Sequence, residues 1–232
     1  MKRIIAIVGL AFLIASCSKV GQKFDQSNSG SAGTATTAGN APSSTGASTT
    51  TTGTTASADV TGGQEVEKPS PTTSQLATLE GGQEVKWDQQ GMSWTLPAGW
   101  KKSTVETKMF VWNTTGGGAK DLGSLIVNIS PMAEDFPTDI SLKAFYDGAV
   151  NRKKIGEVDD VRWLEIDGVK GVAFREAVPE SPDDARRLQW LTYRKFAGQS
   201  QMVNLMLATA GRSFEQRQDA FYAILYSMKL VH

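Results

Sequence analysis

The stretch Gln201-Met202-Val203-Asn204-Leu205-Met206-Leu207-Ala208-Thr209-Ala210 decides the fold. From Met202 to Ala208 it is apolar at nearly every position, which suits a central strand covered on both faces. Ala185 to Phe196 precedes it, and Ala197-Gly198-Gln199-Ser200 between the two reads as a turn, so the pair predicts a long hairpin. Upstream, Val158 to Ile166 and Gly171 to Val178 flank the tight-turn dipeptide Asp167-Gly168. Leu122 to Ser130 carries Leu125, Val127 and Ile129 at period two, and Val105 to Asn113 reads as another strand. A short pair, Val85 to Asp88 and Met92 to Leu96, turns about Gln89-Gln90-Gly91. Ser141 is a good N-cap for a helix ending near Lys154, with Leu142, Phe145, Tyr146, Ala149 and Val150 on one face. Ser213 caps a last helix, Gln216 completes a capping-box pattern, and Phe214, Phe221, Leu225 and Met228 form its buried stripe. Strands, helix, strands, helix with hairpin-length connections predict an α+β domain, an antiparallel sheet with helices packed on it.

Gly91-Met92-Ser93-Trp94-Thr95-Leu96-Pro97-Ala98-Gly99-Trp100 resembles the opening of PsbP-like domains: an aromatic strand, then proline, glycine and tryptophan. The helix from Ser141, the hairpin Asp167-Gly168 to Gly171-Val172-Ala173, the long hairpin and the closing helix follow in the same order. The resemblance covers roughly Val85 to Val231 and extends to the Mog-type and DcrB-like members of that family. It implies an α/β/α sandwich with a central antiparallel sheet and flanking helices. Members serve mainly as scaffolds, partner binders or assembly factors, and no family functional residue maps onto a position here.

Ahead of this domain the composition changes twice. Lys2 and Arg3 precede an unbroken apolar run of eleven residues, Ile4 to Ile14. A bilayer-spanning helix needs about 20 residues and a secretory h-region about 7–15, so the run reads as a signal. Ile14-Ala15-Ser16-Cys17 is the pattern at which bacterial lipoprotein precursors are acylated and cut, which predicts a signal peptide over 1–16 and Cys17 as the lipidated first residue. Ser18 rather than aspartate follows, so in a host with two membranes the class's sorting pattern favours the outer membrane, with the domain facing the periplasm. From Ser27 to Thr61 all residues except Asp59 and Val60 are Ser, Thr, Gly, Ala, Asn or Pro. Such a segment buries too little apolar surface to offset the entropy of ordering. The reading is therefore a disordered tether over 17–83 and a folded domain over 84–232. One pentapeptide recurs at the tether's end, Gly62-Gly63-Gln64-Glu65-Val66 and Gly81-Gly82-Gln83-Glu84-Val85; local duplication of the linker is favoured over a recognition motif.

Charge and cysteine use exclude several chemistries. From Glu84 onward there are 19 acidic and 19 basic residues with no basic run, so no nucleic-acid footprint is expected. Cys17 is the only cysteine and His232 the only histidine. Disulfides, thiolate metal sites and histidine-based triads are therefore not expected, nor is a cofactor. Gly116-Gly117-Gly118-Ala119-Lys120 lacks P-loop spacing and a following helix pattern, so it reads as a hairpin loop. Asp159-Asp160 and Asp183-Asp184 read as solvated pairs before they read as a cation site. Glu165, Asp167 and Glu176 flank a hairpin near Arg162, Lys170 and Arg175 and read as ion pairs ahead of an acid–base set.

All six tryptophans fall between Trp87 and Trp190. Trp94 and Trp100 cover the core edge or, as the alternative, line a ligand groove, and Trp112, beside the glycine loop, is expected to be exposed and to make a contact. The chain is thus expected to be a cell-envelope lipoprotein with a non-enzymatic binding or assembly role, its domain held off the membrane on a tether and an envelope protein as partner. A small-molecule or glycan-binding module is the first alternative, and a hydrolase with a carboxylate-only site the second.

Overall fold

The computed structural model describes residues 61–106, 108–115 and 121–231. The signal, Cys17, the Ser/Thr-rich stretch to residue 60, the loop Gly116 to Lys120 and His232 lie outside the described residues.

In chain order the elements are β1 (Val66–Glu67), α1 (Thr73–Thr78), β2 (Gln83–Trp87), β3 (Met92–Leu96), β4 (Trp100–Val105), β5 (Met109–Thr114), β6 (Ser124–Pro131), α2 (Thr138–Lys154), β7 (Val158–Ile166), β8 (Val169–Glu176), β9 (Ala185–Phe196), β10 (Gln199–Ala210), α3 (Gly211–Tyr226) and β11 (Lys229–Leu230). Eight strands form one sheet in the order β1-β7-β8-β9-β10-β6-β5-β4, antiparallel except where β1 joins β7. The remaining three form a second sheet, β11-β3-β2. Helix α2 packs on β7, β8 and β9, while α3 and the small sheet share the opposite face of the large one. This is an α+β fold with helices on both faces of a central, mostly antiparallel sheet.

The long hairpin supplies its centre. β9 and β10 pair over twelve residues each, from Gln199↔Phe196 to Ala210↔Ala185. The connection is a two-residue turn, Ala197-Gly198, with φ of 48° and 80°. Positive φ at both central positions matches the right-handed twist of the paired strands, so pairing begins at Gln199 instead of Gln201. Val203, Leu205 and Leu207 point into the main core, all 0% exposed, with Leu125, Val127, Leu188 and Trp190 beside them. Phe214, Phe221, Ile224 and Leu225 of α3 and Val85, Trp87, Trp94 and Leu96 of the small sheet close that core. The expectation that this strand is covered on both faces needs correction. Its other face carries Met202, which packs at the margin of the cluster under α2, and Asn204, Met206 and Ala208, all only half-buried, because α2 lies mainly over β7–β9. Under α2, Leu142 meets Trp163, Val172 and Leu191, and Tyr146 stacks on Trp163 at 4.8 Å and 12°.

Other boundaries move for local reasons. Trp100 to Val105 forms β4, a strand not anticipated, so the predicted single strand Val105 to Asn113 starts on the last residue of β4 and otherwise corresponds to β5. Helix α2 starts at Thr138, so Ser141 lies in its first turn and is not the cap. Helix α3 starts at Gly211, and Ser213 donates instead to Asp121 Oδ1 at 2.9 Å. A capping box does exist at Thr72 and Gln75 of α1, where Gln75 N donates to Thr72 Oγ1 (3.2 Å) and Thr72 N to Gln75 Oε1 (3.0 Å).

That box belongs to the largest correction, the domain boundary. The predicted tether over 17–83 includes β1 and α1, so folded structure begins some twenty residues earlier than Glu84. Val66 and Glu67 pair with Trp163 and Leu164 of β7. Glu67 accepts two hydrogen bonds from Arg162 Nη1, at 2.9 and 2.7 Å, and Lys68 pairs with Glu165 at 3.2 Å. The repeated pentapeptide does the same job twice. Each copy opens a strand, and each places its valine opposite a tryptophan: Val66↔Trp163 and Val85↔Trp94. Gln64 accepts from Trp163 Nε1 at 3.1 Å, and Gln83 donates to the Trp100 carbonyl at 2.9 Å.

Candidate functional site

Along the open side of the molecule the last strand of each sheet stands unpaired among the described residues: β2 ends the small sheet and β4 the large one. The two layers meet there face to face. Val85 and Trp87 turn inward from β2, and Phe110 and Trp112 turn inward from β5. Between them lies a cleft of about 420 Å³, lined by residues 83–89 together with Lys102, Phe110 and Trp112. Trp87 and Phe110 sit 5.2 Å apart, and Phe110 stacks on Trp112 at 6.0 Å and 15°. Among the described residues the buried indole N–H groups of Trp87 and Trp112 have no acceptor. A buried donor without a partner costs about 1–3 kcal/mol, so two uncompensated donors sit on rings that line the cleft. Glu84, Lys86, Asp88 and Lys102 supply both signs of charge at its mouth.

The tryptophans singled out from sequence fall partly here. Trp112 is not exposed as expected: it is 9% exposed, since its alternation with Phe110 along β5 turns both rings inward. It nevertheless lines the cleft. Trp94 (1%) and Trp100 (5%) belong to the main core. The rings that join Trp112 are Trp87 and Phe110, which share the inward parity of their strands and carried no other sequence signal. Cys17 lies outside the described residues.

Acidic side chains are engaged in ion pairs at the surface. Glu165 pairs with Lys68, Asp167 with Lys229 at 3.3 Å, and Glu176 with Arg187 at 2.8 Å. Asp160 pairs with Arg162 at 3.3 Å, and Asp183 with Arg212. Asp121 accepts from Ser213 and Arg212, which hold its carboxyl below the usual carboxylate range. Asp159 bridges Arg175 (2.7 Å) and Arg186 (2.6 Å). Among the described residues no group of three or more metal-ligating side chains converges.

One cluster is expected to respond to alkali. Arg162 lies 5.3 Å over the Tyr222 ring and bonds Glu67. Burial opposes its charge, but the Glu67 hydrogen bonds and the neighbouring phenols outweigh that and raise its pKa. Burial also pushes the Tyr226 phenol up to about 12, against the pull of Arg162. A phenol whose folded pKa is raised stabilises the fold fully below its ordinary value near 10, and that contribution is lost as pH climbs through the folded value. The stability of the wild-type chain relative to Tyr226→Phe should therefore fall between pH 10 and 12. Urea titrations of both proteins at pH 9 and pH 11.5 measure this; a constant difference would contradict the placement of the ring.

No family model matches this chain, and neither does any curated protein. Solved structures do. The cyanobacterial PsbP protein (CyanoP) of Synechocystis sp. PCC 6803 is similar at 18% identity, over 65% of this chain and 92% of that one, with a TM-score of 0.46. LpqN of Mycobacterium tuberculosis, described as involved in cell envelope biogenesis, is similar at 13% identity over 64% of this chain and 89% of that one, TM-score 0.49. The Ran-binding protein Mog1p of Saccharomyces cerevisiae is similar at 10% identity over 65% and 95%, TM-score 0.37. The likeness lies in the fold alone.

Proposed function

We propose that this chain is a lipid-anchored protein of the bacterial cell envelope whose domain works by binding a protein partner. The observation that carries the anchor is Ile14-Ala15-Ser16-Cys17 behind Lys2, Arg3 and the apolar run. Anchored through a long polar tether, the domain samples partners at high effective concentration without new contacts. Two features support binding over catalysis: the carboxylates on the hairpin flanks are each spent on an ion pair, and the cleft over Trp87, Phe110 and Trp112 offers apolar surface with unspent donors. In a host with two membranes, Ser18 after the cysteine favours the outer membrane as the site of the anchor.

A photo-crosslinking residue in place of Lys102, in the full chain expressed in its native envelope, tests the binding role. One dominant adduct with another envelope protein is the expected result. Adducts with no protein would overturn it and favour the second reading, a small-molecule or glycan module, which the two unpartnered indole donors also suit.

A further inference from the structure

We propose that β2 is a self-association edge: two copies of this chain pair their β2 strands antiparallel about a two-fold axis at Val85, joining two small sheets into one of six strands. The inference stands apart from the envelope reading and rests on the geometry of residues 83–87.

β2 is a regular five-residue strand with no proline, and its outer edge carries no described partner. Exposed edges of this kind are templates for another strand. The large sheet's edge beside it differs: β4 presents Lys101 and Lys102 to solvent and breaks register between Lys102 and Thr104. Consecutive lysines and a bulge are the devices that keep an edge unpaired. On β2 the side chains alternate, with Val85 and Trp87 facing the core and Glu84 and Lys86 exposed on the opposite face.

Charge selects the partner and the register. In an isologous antiparallel pair centred on Val85, Glu84 of each copy lies opposite Lys86 of the other, so two opposite-charge pairs form. Centring on Glu84 sets that carboxylate against its own copy, and centring on Lys86 does the same with two ammonium groups. The two neighbouring registers that keep the core faces on one side are thus repulsive, and the Val85 register alone is complementary.

The same register addresses an orphan in the cleft. Gln83 of one copy falls opposite Trp87 of the other, on the core side. Among the described residues the Trp87 indole N–H has no acceptor. Gln83 spends its amide nitrogen on the Trp100 carbonyl, which leaves Oε1 to accept. The first copy of the pentapeptide already makes this bond within one chain, from Trp163 Nε1 to Gln64 Oε1 at 3.1 Å.

Sedimentation equilibrium of the full chain in detergent tests the proposal on four proteins: wild type, Glu84→Lys, Lys86→Glu and the double reversal. The wild type and the double reversal should dimerise. Each single reversal, which sets like charges opposite twice, should weaken association at least tenfold. All four side chains at issue are exposed, so circular dichroism should show unchanged folding. A wild type that stays monomeric at 100 times its working concentration, or single reversals that dimerise as well as wild type, would overturn the proposal.

Discussion

Trp190→Ala should lower the unfolding free energy by about 3–5 kcal/mol, the range for removing a large aromatic from a packed core. Trp190 is 0% exposed and sits on β9 in the main core, opposite Ala173 on β8 and Leu205 on β10. Its indole N–H donates to the Leu164 carbonyl at 3.2 Å. The backbone has been brought close to receive it: a Cβ at Gly171 would lie 2.5 Å from the indole nitrogen and 2.7 Å from the Leu191 carbonyl oxygen. Glycine is thus required on β8 for the ring to fit. Alanine at 190 would remove the ring, leave a cavity between two rigid strands and strip a carbonyl of its donor. Urea unfolding followed by far-ultraviolet circular dichroism measures the loss; a value below about 1 kcal/mol would be far outside the range for a closed core.

Arg186→Ala should cost about 2–4 kcal/mol, because one buried cation serves several partners and hydrogen bonds to charged groups are worth roughly 1.5–3 kcal/mol each. Only 2% of the Arg186 side chain is exposed. Its guanidinium donates to the Glu176 carbonyl at 2.8 Å, to Asp159 at 2.6 Å and to Glu215 at 2.5 Å, and lies 4.4 Å over the Phe214 ring. These contacts tie the start of β9 to β7, the end of β8 and the N-terminal part of α3. Arg186→Lys keeps the charge but lacks the planar fork that reaches three acceptors at once, so it should recover less than half of the loss. Full recovery by lysine would show that charge alone matters at this position.

The sequence was legible wherever one period ran long enough to fix a face. Leu125, Val127 and Ile129 alternate on β6, and all three are buried as that alternation requires. Phe214, Phe221 and Leu225 lie in the core as their helical spacing predicts, whereas Met228 is buried just past the end of α3 and is not part of its stripe. Asp167-Gly168 marks a hairpin because few dipeptides accept its backbone. What escaped had no period. β1 is two residues long and is held by Arg162 and Trp163 from a strand nearly a hundred residues later, so nothing local separates it from the tether. β4 is an edge strand with exposed lysines, and a bulge interrupts its alternation. Trp112 shows a parity that was readable: Phe110 and Trp112 are two apart on one strand and had to share a face. The neighbouring glycine loop suggested exposure and outweighed that parity. That Trp87 should meet them across the open side depends on how the two sheets pack, which no single strand encodes.

Mass spectrometry of the mature protein from its native membrane is the decisive test of the proposed attachment at Cys17. The predicted amino-terminal peptide begins at Cys17 and carries acyl chains, and Cys17→Ala should abolish both the acyl mass and membrane association. A mature chain that begins at another residue, or that keeps residue 17 as a free thiol, would contradict the account.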